Sequence, residues 1–166
     1  MNRVNDILNI ALRPIEQHEF AGYQAYFVDD YGREIASNYS RGLEDSLAQA
    51  TDELGKNFPG GRPSPNNYLL CIEEPQDDVA LLIGYLWYSL HSDHKAAFIQ
   101  DFYVFDSYRG KGYGKASMAI LESTLCERGV TQIKLRVAHS NLRAQKLYRE
   151  LGFDITGVNM AKIIGG

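Results

Sequence analysis

An α/β domain built on a mixed sheet is predicted by three observations on this 166-residue chain. Across the first third, apolar residues recur at intervals of three and four, which places two helices before any long strand. From Tyr68 to Phe105 the pattern shortens to strand-like runs separated by turn residues. Beyond Phe105, helix and strand patterns alternate, with glycines at the helix ends. The order β, α, α, β, β, β, α, β, α, β carries neither an internal repeat nor a linker. Residues 1–166 therefore read as one domain.

The first strand is expected at Ile10 to Arg13, stopping at Pro14, where a backbone donor is lost. Phe20, Tyr23, Phe27, Tyr31, Ile35 and Tyr39 mark one face of a helix, and Leu43, Leu47, Thr51, Leu54 and Phe58 mark a second. The cluster of Pro, Gly, Ser and Asn from Pro59 to Asn67 is a loop. Strands are expected at Tyr68 to Ile72, Val79 to Leu90 and Ala96 to Phe105. A helix with inner face Met118, Leu121 and Leu125 follows the glycine run and closes at Gly129. Thr131 to Val137 reads as a strand and Asn141 to Leu151 as a helix ended by Gly152. Phe153 to Ile163 reads as one or two final strands.

Composition narrows the functional classes. The apolar content of 45% is that of an ordinary globular core. Cys71 and Cys126 are too few for a disulfide framework and read as two buried thiols in a reducing compartment. The opening residues lack the pattern of a secretory signal, and no window has the roughly 18 apolar residues of a membrane span. The expectation is a soluble, cytoplasmic protein without a membrane or nucleic-acid partner. The net charge of −4 and the lack of a basic block fit that reading, and weakly favour amines over phosphorylated acceptors. Oligomeric state stays open, with a homodimer as the commonest arrangement.

The most informative stretch runs from Asp106 to Lys115, between a strand and a helix. Unpaired N–H groups at a helix start, glycines at 110, 112 and 114, and the cations Arg109, Lys111 and Lys115 together suit a pyrophosphate. A Walker A loop would need glycine in place of Arg109 and Ser or Thr in place of Ala116. A dinucleotide fingerprint starting at Gly110 would need glycine in place of Lys115. Neither fits.

Arg109-x-x-Gly112-x-Gly114, after a strand ending Phe102-Tyr103-Val104, resembles the acetyl-CoA loop of the GNAT superfamily of N-acetyltransferases. Asn141, Ala144 and Tyr148 on one helix, followed by Gly152-Phe153, resemble that family's second motif. The resemblance implies a GNAT-type fold: a mixed, largely antiparallel sheet of six or seven strands flanked by about four helices. It implies acetyl transfer from acetyl-CoA to a primary amine, a small molecule or a peptide, by direct attack and without a metal. The cofactor-binding positions it implies are the backbone near Tyr103 and Val104, the loop Arg109, Gly110, Lys111, Gly112, Tyr113, Gly114 and Lys115, and the side chain of Asn141. Asn141 also suits a helix cap together with Ser140.

The same resemblance makes Tyr148 the acid that protonates the departing thiolate; otherwise Tyr148 is a packing residue beside Leu147 and Leu151. Phe98 to Val104 is similar to the strand of polyamine acetyltransferases that carries a Glu-Asp pair. Gln100 stands in the first place, and an amide cannot act as a base. Asp101 is then the substrate-ammonium anchor or one end of a proton relay, unless it is a structural carboxylate. Gln100 also keeps open a non-catalytic module that binds or senses acetyl-CoA. Tyr26 and Trp87, with other rings of the first helix and Tyr85, are candidates for the acceptor pocket as well as for the core. His91 and His94 suit an exposed turn more than a metal site. Glu73 is a distant candidate for the base.

Overall fold

A computed structural model describes residues 8–165. Five strands form one sheet in the order β1 (Ala11–Pro14), β2 (Asn67–Glu74), β3 (Leu81–Leu90), β4 (Ala96–Val104) and β5 (Gln132–Leu135). The first four are antiparallel neighbours, and β5 runs parallel to β4. Helices α1 (Phe20–Tyr39), α2 (Leu43–Asn57), α3 (Tyr113–Glu127) and α4 (Leu142–Glu150) complete the architecture. The helical periodicity thus places α1 and α2 where it was expected to, and β1 ends with Pro14 opposite Leu70 at the sheet edge.

Alternation along β2 and β3 divides the core between the two faces of the sheet. Ile72, Ile83, Leu86 and Tyr88 pack with Met118, Leu121 and Leu125 of α3. Leu69, Cys71, Tyr85 and Trp87 pack with Tyr23 and Phe27 of α1 and with Leu54 and Phe58. α1 and α2 approach closely at Gly32, where an added Cβ would stand 2.7 Å from the Leu47 side chain and 3.1 Å from its Cα.

Two expectations are corrected here. Cys71 is buried, but Cys126 is exposed on the outer side of α3. The sheet has five strands among the described residues, where six or seven were expected, because the segment after Phe153 pairs with none of them. Phe153 and Ile155 alternate as on a strand, but Val158, Met160, Ile163 and Ile164 do not keep that period, no described strand neighbours them, and Ile155 and these four stand in solvent.

Candidate active site

Pairing between β4 and β5 covers only Ala96 to Ile99 against Gln132 to Leu135. Beyond Ile99 the strands separate, and a cavity of about 970 Å³ opens between them. Its walls are Gln100 to Val104, the chain following β5, the loop that leads into α3, the inner side of α4, and one face of α1.

A β-bulge shapes the β4 wall. Trp87 faces Asp101 across the ladder, whereas the next residue, Tyr88, faces Ile99, so Gln100 is the extra residue. The bulge resets the alternation. Ile99 packs on the α3 side of the sheet, and Asp101 turns to the α1 side with its cross-strand neighbour Trp87. There the Asp101 carboxylate accepts hydrogen bonds from the hydroxyls of Tyr23, 3.0 Å, and Tyr26, 3.1 Å. Gln100 stays at the exposed rim and donates to the Ser89 hydroxyl at 3.0 Å.

Burial pushes the Asp101 carboxyl up to about 7, against the two tyrosine donors that favour its anion. Asp30 and Glu34, on the same face of α1 as Tyr26, raise it further and line the cavity themselves. Burial and then the Asp101 charge hold the Tyr26 hydroxyl far above the usual phenol range. Tyr148 lines the cavity from α4, with its ring edge-on to Phe153 at 5.6 Å. Burial and the Asp101 charge raise its hydroxyl as well.

The other end of the cavity has the opposite polarity. Helix α3 begins after Gly112, which has φ 91°, and no side chain caps it. Its first-turn amides therefore face the cavity beside Gly110, Gly112 and Gly114. At Gly110, φ 73°, an added Cβ would have no neighbour within 4 Å. An open concave turn of N–H groups at a helix start fits a pyrophosphate. Asn141 caps α4, its Oδ1 accepting from the Ala144 N–H at 3.1 Å; its amide nitrogen is left for a ligand, and Ser140 takes no part in the cap.

Several expected site residues are placed differently. Trp87 is 4% exposed and lies outside the cavity; its Nε1 donates to Asn67 at 2.9 Å, and its ring packs on Phe27 and Phe58. Tyr113 contributes only backbone, because its ring is buried and its hydroxyl donates to Glu74 at 3.0 Å. The loop cations are largely engaged. Arg109 donates to the Val104 carbonyl at 2.7 Å, pairs with Asp106, and lies over the Tyr103 ring. Lys115 pairs with Glu150 at 2.6 Å, and Lys111 lies over Tyr108, outside the cavity lining.

Backbone parity also separates Tyr103 from Val104. The Phe105 N–H donates to the Ile83 carbonyl, so the backbone groups of Phe105 and Tyr103 point towards β3. Those of Phe102 and Val104 point into the splay, and the Arg109 bond to the Val104 carbonyl lies on that side. Tyr103 reaches the site through its ring, 4.3 Å from that of Tyr26. Phe102 was missed because a sequence does not say which backbone groups a strand leaves free. Asp30 and Glu34 could have been found at four and eight residues beyond Tyr26 on one helical face. Glu73 is occupied by Arg13 at 2.6 Å. His94 bonds Asn66, and no group of three metal-ligating side chains occurs among the described residues.

A parallel splay that meets an uncapped, glycine-lined helix start defines a site of the acyl-CoA-using transferase class. The model of the Acetyltransferase (GNAT) family matches residues 18–153, and the chain belongs to that family. It is an acyltransferase. It is 31% identical over 157 residues to YycN, an uncharacterized N-acetyltransferase of Bacillus subtilis (strain 168), covering 93% of this chain and 99% of YycN. The YycN crystal structure superposes with a TM-score of 0.85 at 30% identity, over 95% of this chain and 100% of that one. A thialysine N-epsilon-acetyltransferase of Bos taurus is 34% identical over 82 residues, which are 48% of this chain and 47% of that protein. AAC(6')-Iy, solved with the bisubstrate analog CoA-S-monomethyl-acetylneamine, shares the fold at a TM-score of 0.57 and 15% identity, over 95% of this chain and 99% of that one. No described helix is long and apolar enough to cross a membrane.

The cradle has a direct test. Acetyl-CoA is expected to raise the melting temperature by mass action, while ATP and NAD at equal concentration leave it unchanged. Gly110→Asp should remove most of the acetyl-CoA shift by placing an anion in the turn. Aspartate tolerates positive φ better than most side chains and meets no neighbour there. Gly112 is less suitable, since its Cβ would stand 3.3 Å from Leu8. Equal shifts in Gly110→Asp and wild type, read by thermal denaturation, would exclude the turn as the binding site.

Proposed function

We propose that the protein transfers the acetyl group of acetyl-CoA to a primary amine that arrives as a cation. The single observation that carries this reading is the polarity of the cavity. Helix-end amides lie at one end, and Asp101, Asp30 and Glu34 lie at the other. A pyrophosphate suits the first end and an ammonium the second. The carboxylate end also agrees with the amine acceptors named for the relatives.

In this mechanism the pyrophosphate rests on the turn at Gly110 to Gly114, and the pantetheine arm pairs with the free backbone groups of Phe102, since the Val104 carbonyl is taken by Arg109. Asn141 donates its amide hydrogens to the same arm. The ammonium is drawn to the acidic end, where Asp101 is the base. A carboxyl near 7 is half ionised at neutral pH and accepts a proton far more readily than an ordinary aspartate. The Tyr26 hydroxyl passes the proton on, taking it from the amine while giving its own to Asp101.

The neutral nitrogen attacks the thioester carbonyl, forming a C–N bond and placing negative charge on the carbonyl oxygen. The Val104 N–H is the oxyanion donor in the splay. As the C–S bond breaks, Tyr148 gives its proton to the departing sulfur; the nitrogen, now an amide, sheds its second proton to water, from which Tyr148 is reprotonated. No enzyme-bound acyl group is needed, because the cavity brings both substrates together.

The experiment is acetyl-CoA turnover with a panel of amines, followed by release of free thiol. A diamine, a polyamine, an amino acid, an aminoglycoside and an N-terminal peptide would be compared at pH 8. Turnover should be highest with acceptors that carry a second cation to meet Asp30 or Glu34. A neutral or anionic amine that outperforms every dication would overturn the acidic end as the acceptor site.

A further inference from the structure

We infer that Tyr23 is a positioning residue for Asp101: its hydroxyl holds one carboxylate oxygen throughout the reaction, so that the proton of the amine moves only through the other oxygen and Tyr26. The inference rests on the reading of Asp101 as the base. The two oxygens of the carboxylate have different partners. Oδ2 accepts from the Tyr23 hydroxyl at 3.0 Å, and Oδ1 accepts from the Tyr26 hydroxyl at 3.1 Å.

The two phenols stand in different surroundings. Tyr26 lines the cavity, whereas Tyr23, three residues earlier on α1, is 0% exposed and lies outside the lining. The Tyr23 ring is fixed edge-on to Tyr85 at 5.0 Å and packs on Phe27 at 5.8 Å and Phe20 at 6.3 Å. A hydroxyl enclosed in this way faces neither substrate nor solvent. Burial, followed by the Asp101 charge, also keeps it protonated. It can therefore only donate. The Tyr26 hydroxyl can do both: it donates to the anion, and after the transfer it accepts from the carboxyl that it has protonated.

The groups around Asp101 give Tyr23 a second consequence. Tyr23, Tyr26, Asp30 and Glu34 act on it from α1, Tyr103 from its own strand, and Tyr148 from α4, while Trp87 opposite on β3 brings no charge. Burial disfavours the anion, the two hydroxyls favour it, and Asp30 and Glu34 disfavour it again. Of the two favouring groups, only Tyr23 stays in place while a proton passes. A donor to an anion is stronger than one to a neutral acceptor, so Tyr23 is the group that keeps Asp101 ionisable near neutral pH.

The carbon-13 signal of the Asp101 carboxyl, in protein labelled at aspartate and assigned by its loss in Asp101→Asn, reads the titration without turnover. Tyr23→Phe should move that titration upward by roughly one to two pH units. The rising limb of kcat/KM for a cationic amine should move with it. At about pH 9 the rate should return to within a few-fold of wild type, because the route through Tyr26 is intact. Tyr26→Phe should lower the rate there as well, by at least about tenfold. A purely structural Tyr23 predicts a lower melting temperature with an unmoved carboxyl titration, and that result overturns the inference. So does a rate at pH 9 that falls as far as in Tyr26→Phe. A titration that moves while the rate profile stays in place supports the hold of Tyr23 on the carboxyl and overturns Asp101 as the base instead. If Tyr23→Phe fails to fold, 3-fluorotyrosine at position 23 alone decides. It keeps the ring and makes the phenol a stronger donor, so the carboxyl titration should move downward, and a titration that does not do so overturns the inference.

Discussion

Replacing Asp101 with asparagine is expected to lower kcat/KM for a cationic amine by about 10²–10⁴-fold near pH 7. The substitution keeps the volume and keeps an acceptor for a tyrosine hydroxyl, but it removes the proposed base. In the wild type, activity should rise as the Asp101 carboxyl ionises, so the rising limb of the pH profile is centred near its value of about 7. In Asp101→Asn only amine already neutral in solution can react, and the limb should move towards the amine's own value of about 10.4. The loss is therefore largest at low pH.

Stability provides a control of opposite sign. The folded-state value of Asp101 lies above its unfolded value, so folding favours the protonated form. That favourable contribution is complete below about pH 4 and is lost as pH rises through about 7. Above that range the buried anion costs stability. Asp101→Asn, with no charge to desolvate, should melt higher than wild type at pH 8, with the difference narrowing at pH 5. A purely structural aspartate predicts the reverse: a lower melting temperature at pH 8 and a pH profile of unchanged shape. Rate profiles between about pH 6 and 10, with melting curves at both ends, separate the two outcomes.

Tyr148→Phe is the second large effect, a fall in kcat of roughly 10²–10⁴-fold with little change in acetyl-CoA affinity. The ring remains against Phe102 and Phe153, so packing is kept and only the hydroxyl, the proposed proton donor, is lost. Burial and the Asp101 charge raise the Tyr148 hydroxyl above the ordinary phenol value of about 10, which keeps it protonated across the working range. The wild type should accordingly show no falling limb from this group below about pH 10. Single-turnover rates distinguish the roles: a variant with normal kcat would make Tyr148 a packing residue.

The local features of the site were legible because each rests on a short stretch of chain. The glycine run declares a turn at a helix start through its spacing alone, and the turn appears with positive φ at Gly110 and Gly112. The period of the aromatic residues places Tyr26 on an inward face of α1. Trp87 could not be resolved in the same way. Alternation assigns it to a face of β3, but that face is covered by α1 and α2 along part of its length and opens to the cavity elsewhere. For Gln100 the sequence shows only its place beside Asp101; that a bulge makes it an extra residue at the rim and turns Asp101 inward is visible only in the ladder.

Helices, turns and the glycine-rich loop before α3 were determined by the sequence itself, since periodicity and glycine content act over a few residues. Tertiary structure decided the surroundings of Asp101. Its partners Tyr23 and Tyr26 lie 78 and 75 residues away, and its raised carboxyl depends on their rings closing over it. It also decided the place of the C-terminal segment, which the sequence reads as one or two strands and which pairs with none of the described strands, because a strand needs a neighbour that only the fold can bring to it.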